Sequence, residues 1–529
     1  MNRRSNRVYQ FIFVLAIFIV WPYLRTYVNN PDSFQYIRLA RYWYEGKWSE
    51  AVNGYWSPAI SWLLSLMLLS GKHPVLLFKF LQALIALSSF TCWCRLVDRV
   101  GSFPWMKLIA IPLFISQAFL TLTPDLLFVT VNLALIDYFI QKPVWNDSKR
   151  SLVAGIIGGI SYLSKAFGFP LFMVVVIISY LHHRNTTSGS SFKNMLIGVS
   201  AFAVISATWI IPISIKYGYF TLSEAAAFNS TREVSGQENQ IVHLPILYEE
   251  GLIVPYGNSA LSAWEEPMQS KPMKKLDPLN SKADRQTRLD NLKRNFLSMW
   301  YFDFRRQPGM IFILLMVLAF ISFRGRFMND VRFFYPLMLM LSVYIGYGLI
   351  LYHARYSWIC TYMMILISGL LYQNSSKGIL RNLMKALVFV MAILVVKRPV
   401  KEILFSHDQE TGIGQLWHAV LQPRATLTAT YSDDELVFNA GENIRCIDGP
   451  FVSRFDLSNG RPRYFSSLLL AERSVQRYCG QIDDLKADAI ARLQNAGIKY
   501  FVVWKDDSAP AFSATPICRS EGVVVYRIP

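Results

Sequence analysis

Pro58-Ala59-Ile60-Ser61-Trp62-Leu63-Leu64-Ser65-Leu66-Met67-Leu68-Leu69 is an apolar run of about a dozen residues. Whether it crosses a membrane decides how the whole chain is threaded. A full crossing takes about 20 residues of helix, so this run has the length of an interfacial or re-entrant helix. Apolar spans stand on both sides of it, at about 8–28, 75–96, 103–121, 125–141, 151–164, 168–182, 194–215, 308–323, 333–351, 356–372 and 379–396. Several are short for a full bilayer, which implies local thinning or helices that end inside the protein.

Charge decides between the two threadings. If 58–69 spans, Asp32 and Asp125 fall on opposite faces and the basic loops change sides. If it lies in the interface, the strongly basic short connections gather on one side. These are Arg3/Arg4/Arg7, Arg95/Arg99, Lys142/Lys149/Arg150, Arg184/Lys193, Arg324/Arg326/Arg332 and Lys377/Arg381/Lys385. The positive-inside rule puts that side in the cytoplasm. The interfacial reading is adopted, giving about eleven spans, a cytoplasmic N-terminus and an exported C-terminus. The run after Arg7 is too long for a signal-peptide core and lacks a small-residue cleavage site, so it reads as a retained first span.

Composition agrees. The 529 residues are 53% hydrophobic and 15% aromatic, too apolar for an ordinary soluble enzyme and too polar for a chain that is all bilayer. The expected fold is therefore a multi-span α-helical membrane domain, 1–396, with a small soluble α/β domain at 397–529. The tail shows an amphipathic helix at 482–495 and strands at 500–504 and 523–528. The net charge of +18 comes from residues scattered among short loops rather than from one stripe. Membrane lipids and the positive-inside bias account for it, and nucleic acid is excluded as a partner. Cys92, Cys94 and Cys360 fall in spans, and no pair has zinc-finger or CxxC spacing. An exported tail leaves room for one disulfide, Cys446–Cys479.

On this threading the exported regions are a first loop at 29–74, the turn before Asp125, a long loop at 216–307 and the tail. Two carboxylates then stand at helix mouths on the exported face, Asp32 after the first span and Asp125 at the start of another. An acidic residue in a first helical turn also answers the macrodipole, which is the structural alternative for Asp125. Lys165 and Arg355 sit in tight exported turns, against the positive-inside trend, and each asks for an anionic partner. A lipid phosphate suits both. Tyr36 and Trp56 belong to an aromatic girdle able to stack on a sugar, while His243 and Glu265 in the long loop are further substrate ligands to consider. There is no Walker loop, dinucleotide fingerprint, GxSxG or HExxH, so nucleotide hydrolysis and serine or zinc protease chemistry have no support.

These residues resemble the GT-C glycosyltransferases, the group that includes the protein O-mannosyltransferases and the lipid A aminoarabinose transferases. The likeness rests on Asp32-x-x-x-Tyr36, on Asn53-Gly54-Tyr55-Trp56-Ser57-Pro58 leading into a juxtamembrane helix, on Asp125, on Lys165 and on Arg355-Tyr356. Lys216-Tyr217-Gly218-Tyr219-Phe220-Thr221 looks similar to the loop start of some bacterial members. The resemblance implies a polyprenyl-phosphate sugar donor, a lipid, glycan or protein acceptor, and an inverting transfer with Asp32 as base. It assigns Asp125 to orientation, and Lys165 and Arg355 to the donor phosphate. The first loop has one aspartate where some members carry an acidic pair, so no metal ligand is assigned and a divalent metal stays open. The setting implied is a bacterial inner membrane, with the endoplasmic reticulum as the other home of this class. Two alternatives stand beside it: a transporter of polyprenol-linked glycans or other small molecules, and a glycan polymerase or ligase of another multi-span fold.

Overall fold

The computed structural model describes residues 3–24, 32–72, 74–186, 191–232, 247–248, 251–252, 266, 279–305, 308–323, 330–374 and 378–405, and five strands between 436 and 527. Its helices are α1 (Arg3–Leu24), α2 (Asp32–Tyr44), α3 (Trp48–Ala51), α4 (Ala59–Leu68), α5 (Pro74–Val100), α6 (Trp105–Phe119), α7 (Asp125–Gln141), α8 (Ser148–Ser164), α9 (Gly168–Thr186), α10 (Phe192–Tyr217) and α11 (Ala225–Arg232). After a two-residue hairpin, β1 (Leu247–Tyr248) and β2 (Gly251–Leu252), come α12 (Lys282–Met299), α13 (Gly309–Phe323), α14 (Val331–Leu349), α15 (Trp358–Asn374) and α16 (Ile379–Phe405).

A helix coincides with each of the apolar spans read from the sequence. Four are long and apolar enough by composition to cross a membrane: Leu76–Val100, Phe192–Tyr217, Val331–Leu349 and Ala354–Asn374. Ala59–Leu68 is among the shorter apolar helices. At ~1.5 Å per residue α4 is about 15 Å long, roughly half a hydrocarbon core of about 30 Å. It packs on α2, α5 and α8.

Local signals set the ends. Ser281 caps α12 by accepting from the Asp284 amide at 3.1 Å, in the Ser-x-x-acid arrangement of a helix start. Asp147 caps α8 through the Lys149 amide at 2.7 Å. Gly218 closes α10 in the left-handed region, φ 76°, with its amide returned to the Ser214 carbonyl at 3.0 Å.

Packing is closest around α8, whose glycines let neighbours approach. A Cβ on Gly155 would lie 2.0 Å from the Gly198 carbonyl oxygen of α10, and one on Gly158 would meet the Phe172 ring of α9 at 2.4 Å. The α8 helix is thus wedged between α9 and α10. A core of buried aromatic and aliphatic side chains runs through α5, α6, α7, α14 and α15.

The C-terminal strands are β3 (Leu436–Asn439), β4 (Arg463–Phe465), β5 (Ile498–Trp504), β6 (Pro516–Ser520) and β7 (Val523–Arg527). They form one mixed sheet in the order β4-β3-β5-β7-β6, parallel across β4-β3-β5 and antiparallel across β5-β7-β6. Both strands expected from the sequence are there. The expected helix at 482–495 and the Cys446–Cys479 pair lie outside the described residues.

Candidate active site

Two helices begin, one ends and a tight turn closes at the same place. Asp32 opens α2 and Asp125 opens α7 directly after Pro124. Each carboxylate therefore sits at the positive end of a helix dipole. Lys165 is the C-cap residue of α8, the negative end, where a cation is favoured. Arg355 lies in the turn Ala354–Ser357 that leads into α15. Four residues from remote parts of the chain meet, three of them with the charge that their helix end favours, while Arg355, at the start of a helix, is held by the two carboxylates.

Arg355 joins the two acids. Its Nη2 donates to Asp32 Oδ2 at 2.5 Å, and its Nε lies 3.6 Å from Asp125 Oδ2. Lys165 Nζ donates to the other oxygen of Asp125. The Thr123 hydroxyl donates to Asp125 Oδ2 at 2.8 Å. Asp125 is buried, which costs a carboxylate heavily unless cations and hydrogen bonds surround it. Both carboxylates contact Arg355, so the segments that carry them end on one face of the molecule.

An aromatic wall backs the cations. Lys165 Nζ stands 3.5 Å from the Tyr356 ring centroid and 5.3 Å from that of Tyr347, and the two rings stack at 4.6 Å. Burial pushes the Lys165 ammonium down to about 8, against the upward pull of Asp125. Burial, together with the charges of Asp32 and Asp125, raises the Tyr36 hydroxyl well above its ordinary range, so it stays a neutral phenol. Tyr36 packs edge-on against Trp56 at 5.2 Å, and Trp56 against Tyr55 at 4.6 Å. Both Tyr36 and Trp56 are nearly fully buried and shape the wall of the site.

The turn before Asp125 is held by three side chains. The Lys79 ammonium donates to the Phe119 carbonyl. Ser33 donates to Leu122 O at 2.8 Å, and Gln82 to Thr123 O at 2.7 Å. The Arg355 turn is held similarly by Asn295, which donates to Gly348 O at 3.1 Å and accepts from the Tyr352 amide at 3.3 Å. The Lys165 turn is tied to the first loop, since the Ala166 amide donates to Ser57 Oγ at 3.0 Å.

A second cluster lies where α10 ends. Glu266 accepts from Lys216 Nζ at 2.8 Å, from Asn53 Nδ2 at 3.1 Å and from the Tyr217 hydroxyl. Burial pushes the Glu266 carboxyl up, and Lys216 pulls it back down. Gly54 is required here. Its amide donates to Tyr217 OH at 3.1 Å, its carbonyl accepts from Glu224 N at 2.7 Å, and a Cβ would meet the Tyr217 ring at 2.6 Å.

The structure thus brings together Asp32, Asp125, Lys165 and Arg355, with Tyr36 and Trp56 beside them, while His243 and Glu265 lie outside the described residues. Sequence reasoning missed Thr123, Tyr347, Glu266 and the Lys216 contact. Tyr356 carried a signal as the neighbour of Arg355, and Glu266 as the second member of an acidic pair. Nothing in the sequence marked Tyr347, which comes from the far end of α14. Among the described residues no three His, Cys, Asp or Glu side chains are grouped to hold a metal ion. Both site carboxylates are engaged by cations instead.

No protein-family model matches the chain, and no curated protein matches it. Solved structures do. ArnT from Cupriavidus metallidurans in the apo state is 14% identical, with a TM-score of 0.55 over 98% of this chain and 97% of that one. The same protein bound to undecaprenyl phosphate gives 13% identity and a TM-score of 0.55. The oligosaccharyltransferase AglB from Archaeoglobus fulgidus, in complex with an inhibitory peptide and a dolichol-phosphate, gives 12% identity and a TM-score of 0.51, over 94% of this chain and 69% of that one. At such identities the shared property is the fold, and it is the GT-C fold of membrane glycosyltransferases. With its apolar helices, the chain is an integral membrane protein.

Proposed function

We propose that this chain, built on the GT-C fold, is a membrane glycosyltransferase that moves a sugar from a polyprenyl-phosphate donor to an acceptor hydroxyl on the exported face. Eleven helices cross the membrane in this reading, α4 lies in the interface, and the N-terminus is cytoplasmic. The observation that carries it is the chain of charges Asp32–Arg355–Asp125–Lys165 at one end of the helices. Two cations suit the phosphate of a donor, and a carboxylate beside them suits an attacking hydroxyl.

In the transfer, the acceptor oxygen attacks the anomeric carbon as its proton passes to the Asp32 carboxylate. The bond from that carbon to the phosphate oxygen breaks on the opposite side, inverting the centre and releasing polyprenyl phosphate. A phosphate leaving group needs its charge neutralised more than it needs a proton. Lys165 and Arg355 supply that neutralisation in a poorly hydrated site, where fixed charges act strongly. Asp125 holds both cations in place. Arg355 is already bonded to Asp32, so a donor phosphate that engages Arg355 competes with Asp32 and leaves its carboxylate available to the acceptor.

The test is sugar transfer by purified protein in lipid nanodiscs, supplied with a panel of polyprenyl-phosphate sugars and candidate acceptors. Asp32→Asn is expected to fold and insert yet to lose about 10²–10⁴-fold in turnover, the usual contribution of a positioned base. Near-normal turnover by that variant would remove Asp32 from the role.

A further inference from the structure

The helix ends opposite the Asp32 cluster hold a feature that sugar transfer does not use. A cleft of about 420 Å³ lies between the start of α6, the end of α15 and the start of α16. That is within the roughly 300–1,000 Å³ range of small-ligand sites. Its surface is mostly apolar, formed by Phe103, Trp105, Tyr372 and Phe389, with Asn382 and Lys385 among the residues that line it. The aromatic wall is pre-arranged: Phe103 stacks on Trp105 at 5.7 Å and packs on Tyr372 at 4.7 Å. Arg381 adds a second cation, its guanidinium held 5.3 Å from the Tyr372 ring centroid.

We infer that this cleft binds an anionic glycerophospholipid of the inner leaflet, with acyl chain against the aromatic wall and headgroup phosphate between Lys385 and Arg381. The inference rests on the threading above, which puts this end at the cytoplasmic surface. An apolar slot with basic residues beside it, between membrane helices, complements a lipid that is apolar below and anionic above. The headgroup of a sugar donor has its place elsewhere. From Trp358 beside the Arg355 turn to Tyr372 at the cleft, α15 runs about 21 Å at ~1.5 Å per residue. A phosphate held by Lys385 is therefore far from Asp32. The cleft also bears on the Arg355 turn, since that turn and Tyr372 lie at opposite ends of α15.

Retention of lipid by the full chain tests this without any sugar transfer, so its failure leaves the transferase reading standing. Delipidated protein is incubated with phosphatidylglycerol or phosphatidylcholine, and bound lipid is counted by native mass spectrometry. Wild type is expected to keep phosphatidylglycerol at least about tenfold better than phosphatidylcholine, because each basic residue near the surface adds a comparable electrostatic attraction. Arg381→Glu with Lys385→Glu should abolish that preference with the cleft shape intact. Ala386→Trp should abolish binding by filling the slot with the charges intact. Equal retention of the two lipids, unchanged binding in both variants, or full displacement by undecaprenyl phosphate would each overturn the assignment. Thermal unfolding of each variant confirms that it is folded, and two variants of different chemistry keep the test decisive if one misfolds.

Discussion

Lys165 is the member of the site whose charge is easiest to remove. Its ammonium is held at about 8 by burial, so it is protonated below that pH and loses its charge as the pH rises through it. If the cation neutralises the departing phosphate, kcat/KM falls on the alkaline side with a midpoint at about 8. Lys165→Arg keeps its charge at any accessible pH, so the alkaline limb should move upward even if the rate is lower. Lys165→Met should lose about 10²–10³-fold, the scale of one removed electrostatic stabiliser. An unshifted limb in Lys165→Arg would mean another group titrates. Asp32, Asp125, Lys165 and Arg355 are legible in the sequence because a charge at the mouth of an apolar helix is costly and asks for a reason. Thr123 and Tyr347 are not, since a threonine before a proline and a tyrosine in a span fit many packing roles.

At the scale of elements, α8 determines where Lys165 arrives. Gly155 meets the backbone of α10, so any side chain forces the two helices apart. Gly155→Ala should destabilise the protein by about 1–3 kcal/mol, the usual range for overpacking a close contact. Gly155→Leu should be worse and should lower activity by displacing the α8 C-terminus. Ile156→Leu, one residue along on a more open face, is the control. The measurement is thermal unfolding in detergent, and an unchanged midpoint for Gly155→Ala would show that α8 and α10 separate readily. Helix positions are legible from hydropathy. The wedging of α8 is not, because glycines in an apolar run do not reveal which helix each one faces.

For the whole molecule, the order of spans and the shared end of Asp32 and Asp125 follow from one decision about 58–69, made on charge. That reading rests on six basic connections at once rather than on any single residue. The tie between the first loop and Glu266 is not legible, since Asn53, Lys216 and Glu266 are remote in sequence and nothing in the sequence pairs them. Their meeting is testable. Trypsin sites at Lys274 and Lys275 follow Glu266 closely. Glu266→Ala removes the acceptor for three donors and should speed cleavage there by about tenfold or more. Glu266→Gln retains hydrogen-bonding capacity toward Asn53 and Tyr217 and should have a smaller effect. Equal cleavage of wild type and both variants would show that the contact holds nothing.

The Glu266 contact has a further consequence for the chain as a polymer. Glu224 is bonded to Gly54, and Glu266 to Asn53, Lys216 and Tyr217, so the chain between α10 and α12 is held at two points. The entropic cost of closing a loop between two such anchors grows only with the logarithm of its length. Doubling the number of residues between the two anchors should accordingly cost only about 0.6 kcal/mol in loop closure.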